Sequence, residues 1–226
     1  MRGVQNMRVG IIGAGFIGRA VAQLLLAAGH EAMLSNSRGP KTLTSVAADI
    51  RGSQIGTVEQ AAAFGDIVLV AIPFTHYRDL PAPLLAGKIV LDANNYYPDR
   101  DGRITELDNF ETTTSQMIAA HLHGARLVKV FNAILAQDLL DDGRPAGDSQ
   151  RRALPIAGDD QAAKERVTRL LDDIGFDTVD GGELKDSWRF ERAKPAYCIP
   201  LKRAELIAAL AAAEREVELP HGSWRH

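Results

Sequence analysis

The sequence is poor in cysteine and carries no excess of positive charge. Cys198 is its one cysteine, so no disulfide can form within the chain, and no Cys and His residues stand at the spacing of a structural zinc site. The 26 Lys and Arg residues are outnumbered by 29 Asp and Glu residues, which gives a formal net charge of -3. Such a chain lacks the broad positive field that non-specific binding to nucleic acid or to an anionic membrane requires. We expect its partner to be a small molecule or another protein.

Long apolar runs are also missing. No run approaches the roughly 18 apolar residues that span a bilayer, and Met1–Met7 lead into glycine-interrupted residues rather than the core of a signal peptide. We therefore expect no membrane partner and a cytoplasmic location. Met1–Asn6 are predicted to be a disordered extension, since Arg8–Ile12 already has the composition of a first strand.

Short β-branched runs alternate with longer segments of helical period, as expected for an α/β protein built around a parallel sheet. Strands are predicted at Arg8–Ile12, Glu31–Ser35, Ile55–Val58, Asp66–Ile72, Lys88–Asp92, Arg126–Phe131, Ala153–Ala157 and Asp177–Val179. Helices are predicted at Phe16–Ala28, Thr42–Ala48, Glu59–Phe64, Tyr77–Leu85, Thr113–His121 and Gln161–Ile174. This order is typical of a doubly wound fold whose sheet is extended by the last two strands.

The last part of the chain is predicted to be helical from Glu183 onward. Leu206, Leu210, Ala213 and Val217 recur at helical spacing and form an apolar stripe that must pack on the sheet or on a second subunit. We therefore divide the chain into a domain at 7–180 and a short C-terminal helical extension at 181–226, through which a homodimer could form.

The strongest local motif is a glycine-rich loop between the first strand and the first helix. It consists of Gly13, Ala14, Gly15, Phe16, Ile17 and Gly18. In this context Gly13 permits a tight turn, Gly15 lets a pyrophosphate approach the backbone, and Gly18 lets the helix pack closely on the strand. The motif predicts a dinucleotide site in a Rossmann-type domain.

The end of the second strand indicates which dinucleotide binds. NAD-specific sites place an acidic residue there, whereas this chain has Asn36, Ser37 and Arg38, followed by Lys41. No acidic residue occurs between Ala32 and Ala48 that would repel a 2′-phosphate. An arginine fork and a serine hydroxyl bind phosphate well, so NADP(H) is favoured over NAD(H).

Two further segments extend this pattern. Ile72-Pro73-Phe74-Thr75-His76 follows the fourth strand, and Lys129-Val130-Phe131-Asn132-Ala133-Ile134 lies at the end of the sixth. Together with the glycine loop they resemble the NADP-dependent oxidoreductases of the deazaflavin coenzyme F-420. That broad family includes many bacterial dinucleotide-binding enzymes and the cytosolic domain of the STEAP metalloreductases. The resemblance covers most of the segment Met7–Val179.

The resemblance implies a site for NADP(H) and for a second substrate. The cofactor would be held by the glycine loop, Ser37 and Arg38, with Ile72, Pro73 and His76 beside its ribose and nicotinamide. The segment that begins at Asn94, together with Asn132 and Ala133, would border the nicotinamide and the second substrate, which is coenzyme F-420 or a flavin.

Hydride transfer between flat rings depends on stacking and orientation more than on acid-base groups. We name His76 and Asn132 as the candidate catalytic residues. His76 would hydrogen-bond the ribose or the substrate, unless it is an ordinary loop histidine. Asn132 would bind the nicotinamide carboxamide, unless it serves as a cap or turn residue. No metal site is predicted.

The leading expectation is an NADP(H)-dependent oxidoreductase that transfers hydride between NADPH and a flavin-like or deazaflavin acceptor. Two alternatives remain open. One is a small imine or carbonyl reductase, suggested by the glycine loop. The other is a non-catalytic NADPH-binding sensor module, suggested by the lack of an evident acid-base residue in the sequence.

Overall fold

The computed structural model describes residues 6–220 and residue 222. Its strands are β1 Arg8–Ile12, β2 Glu31–Ser35, β3 Gln54–Gly56, β4 Ile67–Val70, β5 Ile89–Asp92, β6 Arg126–Lys129, β7 Ala153–Gly158 and β8 Asp177–Asp180. Its α-helices are α1 Phe16–Ala27, α2 Thr44–Asp49, α3 Val58–Phe64, α4 Ala82–Leu85, α5 Pro98–Asp101, α6 Thr105–Asp108, α7 Thr114–His121, α8 Ala136–Asp141, α9 Gln161–Asp173 and α10 Arg203–Ala211. Short 3-10 helices cover Pro40–Leu43, Phe74–Asp79 and Leu184–Phe190.

All eight strands form one sheet in the order β3-β2-β1-β4-β5-β6-β7-β8. The chain builds outward from β1 to β3, crosses over to β4 and then builds outward in the other direction. This topology confirms the predicted Rossmann-type doubly wound fold. The connections that follow β1 and β4 lead toward opposite edges of the sheet, and open α/β sheets form their ligand crevice at such a point.

The sheet departs from the prediction at β7, which runs antiparallel to β6 and parallel to β8. The prediction of a parallel sheet was therefore wrong for the pairing of β7 with β6. A strand parallel to β6 would require a crossover connection that carries the chain back to the end of the sheet where β6 begins. The chain instead makes the six-residue helix α8 and a loop, and β7 begins at the end of the sheet where β6 finishes.

The sheet is buried on both faces. Every residue of β4 and β5 is buried. One apolar cluster on the sheet includes Ile11, Leu34 and Leu69, and a second includes Val68 and Val90. Because both faces are covered, the sequences of these strands are nearly continuous apolar runs and do not alternate between apolar and polar residues.

Several predicted boundaries are corrected by local chemistry. Val58 starts α3 instead of ending β3, because the Thr57 hydroxyl accepts a hydrogen bond from the Gln60 N–H and caps the helix. The helix predicted over Tyr77–Leu85 is split into a 3-10 helix and α4, with Pro81 at the break. β4 ends at Val70, two residues before its predicted end.

The C-terminal segment folds back onto the sheet. Leu206, Leu210 and Ala213 are buried, and the first two pack in an apolar cluster with residues of β7 and β8. Val217 is about half exposed, because α10 ends at Ala211 and the helical stripe stops there. The prediction that the chain is helical from Glu183 onward therefore holds only for Leu184–Phe190 and Arg203–Ala211. A homodimer through α10 would use the opposite face, where Ile207 is exposed.

The predicted N-terminal extension lies mostly outside the described residues. Within them, Asn6 is exposed and its side-chain amide donates a hydrogen bond to Glu31 Oε1 at 3.3 Å. No helix in the described part of the chain is long and apolar enough to cross a membrane.

Candidate functional site

The glycine loop joins β1 to α1 at the crossover of the sheet, and its three glycines differ in what surrounds them. Gly13 has φ +117°, and a Cβ atom there would lie 2.1 Å from the Ala71 carbonyl oxygen. A Cβ at Gly18 would lie 2.0 Å from the Gly13 carbonyl oxygen. Around Gly15 no atom lies within 4 Å of the Cβ position. Gly13 and Gly18 are therefore required by backbone packing, whereas Gly15 keeps a space clear outside the protein.

The start of α1 faces that space with its N–H groups. Gly15 is the N-cap residue, so no side chain caps the helix, and its first turn contains no acidic residue. The first N–H groups of a helix lack partners within the helix and lie at the positive end of its dipole. An anion placed over Gly15 would therefore meet free donors and a favourable potential.

A cavity of about 790 Å³, the glycine-loop cavity, opens beside this loop. The predicted site residues that line it are Gly13, Gly15, Phe16, Asn36, Ser37, Arg38, Ile72, Pro73 and His76. Lys41 and Gly18 do not line it. Three charged residues that were not predicted also line the cavity, namely Arg19, Glu59 and Asp79. Their positions follow from how α1, α3 and the loop after β4 converge, which no local motif reveals.

The turn after β2 presents Ser37 and Arg38 to solvent at one end of this cavity. Asn36 Oδ1 accepts a hydrogen bond from the Arg38 N–H at 3.0 Å, and Asn36 Nδ2 donates to Thr42 Oγ1 at 2.9 Å. Asn36 therefore holds the turn in place, and the exposed serine and arginine side chains extend from it. Lys41 is exposed on the following 3-10 helix.

The segment after β4 forms the opposite wall. Its Ile72 N–H donates to Asn94 Oδ1 at 2.9 Å. Asn94 is itself buried and does not line the cavity, so it contacts the wall from behind. His76 is exposed, and its Nδ1 lies 3.0 Å from Asp79 Oδ2. The structure thus places His76 at the cavity rim, paired with the Asp79 carboxylate, which no sequence motif marks.

A second cavity of about 550 Å³ lies on the other side of the glycine loop, and we call it the α8 cavity. Its lining comprises Phe16, Ile17, Arg19, Ala20, Gln23, Ala93, Asn95, Tyr97, Phe131, Asn132, Ile134, Leu135, Ala136, Gln137, Leu140, Tyr197 and Cys198. Phe16 and Arg19 line both cavities, and the Phe16 residue is 85% exposed. The two cavities therefore adjoin at the start of α1.

Asn132 is held at the edge of the α8 cavity by its amide nitrogen. Nδ2 donates to Asn95 Oδ1 at 3.2 Å and to the Phe190 carbonyl at 2.9 Å. Oδ1 is buried and has no partner among the described residues. A buried carbonyl oxygen without a partner costs about 1–3 kcal/mol, so this atom is suited to accept a hydrogen bond from a ligand. Ala133 is buried, and its carbonyl accepts from the Cys198 N–H.

A buried ionic group lies at the ends of β5 and β6, just before the loop residues that line the α8 cavity. The Lys129 ammonium is fully buried and donates to the Asn94 carbonyl at 2.9 Å and to Thr114 Oγ1 at 2.8 Å. The fully buried Asp92 carboxylate lies 3.4 Å from it and accepts from Ser115 Oγ at 2.6 Å. Sequence reasoning missed this group, although a Lys and an Asp at the ends of adjacent apolar strands were the available signal.

Two tyrosines from distant parts of the chain also meet in the α8 cavity. The hydroxyls of Tyr97 and Tyr197 are hydrogen-bonded to each other, and Cys198 lies beside them. Burial raises the pKa of Tyr197, and it raises the pKa of the Cys198 thiol to about 12. These groups are therefore neutral at physiological pH. Tyr96 lies apart, with its hydroxyl bonded to Asp108.

Comparison with known proteins agrees with this geometry. Residues 8–96 match the model of the family described as NADP oxidoreductase, coenzyme F420-dependent. The protein YjhV of Escherichia coli K12 is 36% identical over 78 residues, which are 34% of this chain and 57% of YjhV. The chain thus spans little more than half of that curated relative.

Two solved structures are similar over most of their length. A hypothetical protein from Sinorhizobium meliloti has 29% identity and a TM-score of 0.76, with 88% of this chain and 96% of that chain covered. A protein from Arthrobacter sp. FB24, provisionally named an F420-dependent NADP-reductase, has 26% identity and a TM-score of 0.68, with 79% and 86% covered. The resemblance inferred from the sequence is therefore confirmed for residues 8–96, which match the model of the coenzyme F420-dependent NADP oxidoreductase family.

Proposed function

We propose that this chain binds NADP(H) in the glycine-loop cavity and transfers hydride between it and a flavin-like or deazaflavin acceptor, such as coenzyme F-420, in the α8 cavity. The observation that carries the proposal is that the two cavities adjoin at Phe16, beside the N-terminus of α1. The nicotinamide supplies the hydride, and the residues of this chain bind and orient the two partners.

The chain has suitable groups for each phosphate of NADP(H). The space over Gly15 and the uncapped start of α1 fit the pyrophosphate. Arg38 and Ser37 extend from the β2 turn toward the place of the 2′-phosphate, where an arginine fork makes charge-assisted hydrogen bonds. Glu59 is an acidic residue that lines the same cavity, but it lies on α3 and not at the end of β2, where NAD-specific sites place their acidic residue. These features support NADP(H) over NAD(H).

The nicotinamide would reach from the glycine-loop cavity past Phe16 to Asn132, which lines the α8 cavity. Its unpartnered Oδ1 can accept a hydrogen bond from the carboxamide NH₂, while its committed Nδ2 keeps the amide from flipping. Asn132 would thus position the ring for transfer. His76, at the cavity rim with Asp79, is placed to contact a ribose hydroxyl.

The test is anaerobic mixing of the protein and NADPH with oxidised coenzyme F-420, and separately with FMN. We expect NADPH to be oxidised as the acceptor is reduced, in equal amounts. A Gly15→Ala variant, whose added methyl group would occupy the phosphate space, serves as the matched control and should be much slower. The proposal fails if NADPH binds tightly but is not oxidised by coenzyme F-420 or FMN, nor by a carbonyl compound or a cyclic imine. That outcome would favour a non-catalytic sensor module.

A second candidate function is reduction of a carbonyl or imine, and the Tyr97–Tyr197 pair favours it. Reduction of an isolated C=O or C=N bond needs a proton at the heteroatom, and a neutral tyrosine hydroxyl in the acceptor cavity could donate one. Turnover of a cyclic imine, lost in Tyr97→Phe, without turnover of any flavin or deazaflavin would make this candidate the better one.

A further inference from the structure

Arg19 has a position that the glycine motif does not explain. It is the fourth residue of α1, and its Nε donates a hydrogen bond to the Ala14 carbonyl oxygen at 2.8 Å. This bond holds the guanidinium against the glycine loop, where Arg19 lines both the glycine-loop cavity and the α8 cavity. Among the described residues, its terminal nitrogens make no hydrogen bond or ion pair that fixes them elsewhere.

The α8 cavity has one kind of charge in its wall. Of its lining side chains in the described part of the chain, Arg19 alone is ionised at neutral pH, since burial keeps Tyr197 and Cys198 protonated. The nearby Asp141 carboxylate accepts a hydrogen bond from Gln137 Nε2 at 2.8 Å and does not line the cavity. An anionic group in this cavity would meet one guanidinium and no carboxylate.

The lining of the cavity also includes exposed apolar side chains beside this charge. Phe16, Leu135 and Leu140 are large apolar residues that stay 85%, 41% and 39% exposed, and all three line the cavity. Arg19 and Gln23 follow Phe16 at helical spacing along the same face of α1. A planar ring against the apolar residues could therefore carry a side chain that runs along α1 to Arg19.

We propose that Arg19 binds a phosphate of the acceptor and thereby selects phosphorylated flavins or deazaflavins over neutral ring compounds. This inference rests on the proposed function, because it takes the α8 cavity to be the acceptor site. The phosphates of the cofactor are assigned to other groups, namely the α1 N-terminus and Arg38. Arg19 is left as the cation available to the acceptor.

FMN and riboflavin test this inference, because they share one ring system and differ by a phosphate. The dissociation constant of each flavin from the NADP⁺-bound protein can be measured by quenching of flavin fluorescence, without turnover. A charge-assisted hydrogen bond corresponds to about tenfold to a hundredfold in affinity. We expect the wild type to prefer FMN by that factor, Arg19→Ala to lose the preference, and Arg19→Lys to keep part of it. Arg51→Ala, which removes an exposed positive charge from a residue that does not line the cavity, should retain the preference.

Two outcomes would overturn the inference. One is equal affinity of the wild type for FMN and riboflavin. The other is that Arg19→Ala weakens NADPH at least tenfold and leaves the FMN preference intact, which would assign Arg19 to the cofactor. The proposed function is judged separately by turnover. A wild type that prefers FMN through Arg19 but oxidises no NADPH would retain the inference and lose the proposed hydride transfer.

Discussion

The two cavities on either side of α1 are built in different ways. The glycine-loop cavity is formed mainly by consecutive residues at strand ends, and backbone geometry at Gly13, Gly15 and Gly18 shapes it. The α8 cavity is formed by side chains brought together over long sequence distances, such as Tyr97 with Tyr197 and Asn132 with Phe190. A site of the first kind can be inferred from local sequence, whereas one of the second kind depends on the whole fold.

The largest expected effect concerns the buried ion pair of Lys129 and Asp92 at the ends of β5 and β6, next to the α8 cavity. Lys129→Met removes the buried ammonium and leaves the Asp92 carboxylate without its cation, which should cost about 3–5 kcal/mol in the free energy of unfolding. Urea unfolding followed by circular dichroism measures this cost. The exposed pair between Lys185 and Glu183 is the control, and Lys185→Met should leave the unfolding midpoint nearly unchanged.

If Lys129→Met proves too unstable to purify, the double variant Asp92→Asn with Lys129→Met still tests the idea. It removes both charges and should recover part of the lost stability. A single variant as stable as the wild type would contradict the view that the fold depends on this buried ion pair.

The next effect concerns cofactor choice in the glycine-loop cavity. Arg38→Ala removes the guanidinium proposed to bind the 2′-phosphate and should weaken NADPH binding by about 1.5–3 kcal/mol, or roughly tenfold to a hundredfold. NADH, which lacks that phosphate, should bind both proteins alike in fluorescence titrations. Lys41→Ala is a matched control, because Lys41 lies on the same segment but does not line the cavity. A similar loss in the control would mean that general charge, not the arginine fork, attracts the cofactor.

Two glycine substitutions separate folding from binding within the same loop. Gly18→Ala forces a methyl group against the Gly13 carbonyl and should cost about 1–3 kcal/mol of stability, the usual effect of overpacking. Gly15→Ala meets no atom within 4 Å and has a φ of -77°, so its unfolding temperature should stay near that of the wild type. Its NADPH affinity should nevertheless fall at least tenfold, as titration would show. Unchanged affinity in Gly15→Ala would refute the proposed position of the pyrophosphate.

The contrast between local and long-range features also explains how much of the molecule could be predicted from the sequence. The bounds of β1 and β2 are those predicted, because an apolar run followed by a glycine loop, and a short run followed by a polar turn, are local signals. The direction of β7 was missed, since it depends on a six-residue helix that α1 packs against. Arg19 and the Lys129–Asp92 pair were missed as well. Their roles arise from neighbours in space, which periodicity and motif spacing do not encode.

The smallest expected effect is a pH dependence that originates in the α8 cavity. Burial raises the pKa of Cys198 to about 12 in the folded chain, whereas an unfolded cysteine titrates at about 8.5. Between these values the folded state holds a proton that the unfolded state has released, so stability must fall as the pH rises above about 8.5. By about pH 9.5 the loss from this thiol amounts to roughly 1 kcal/mol. Urea unfolding at several pH values should show a shallower decline in Cys198→Ala, and parallel curves for the two proteins would mean that the thiol is not held neutral by burial.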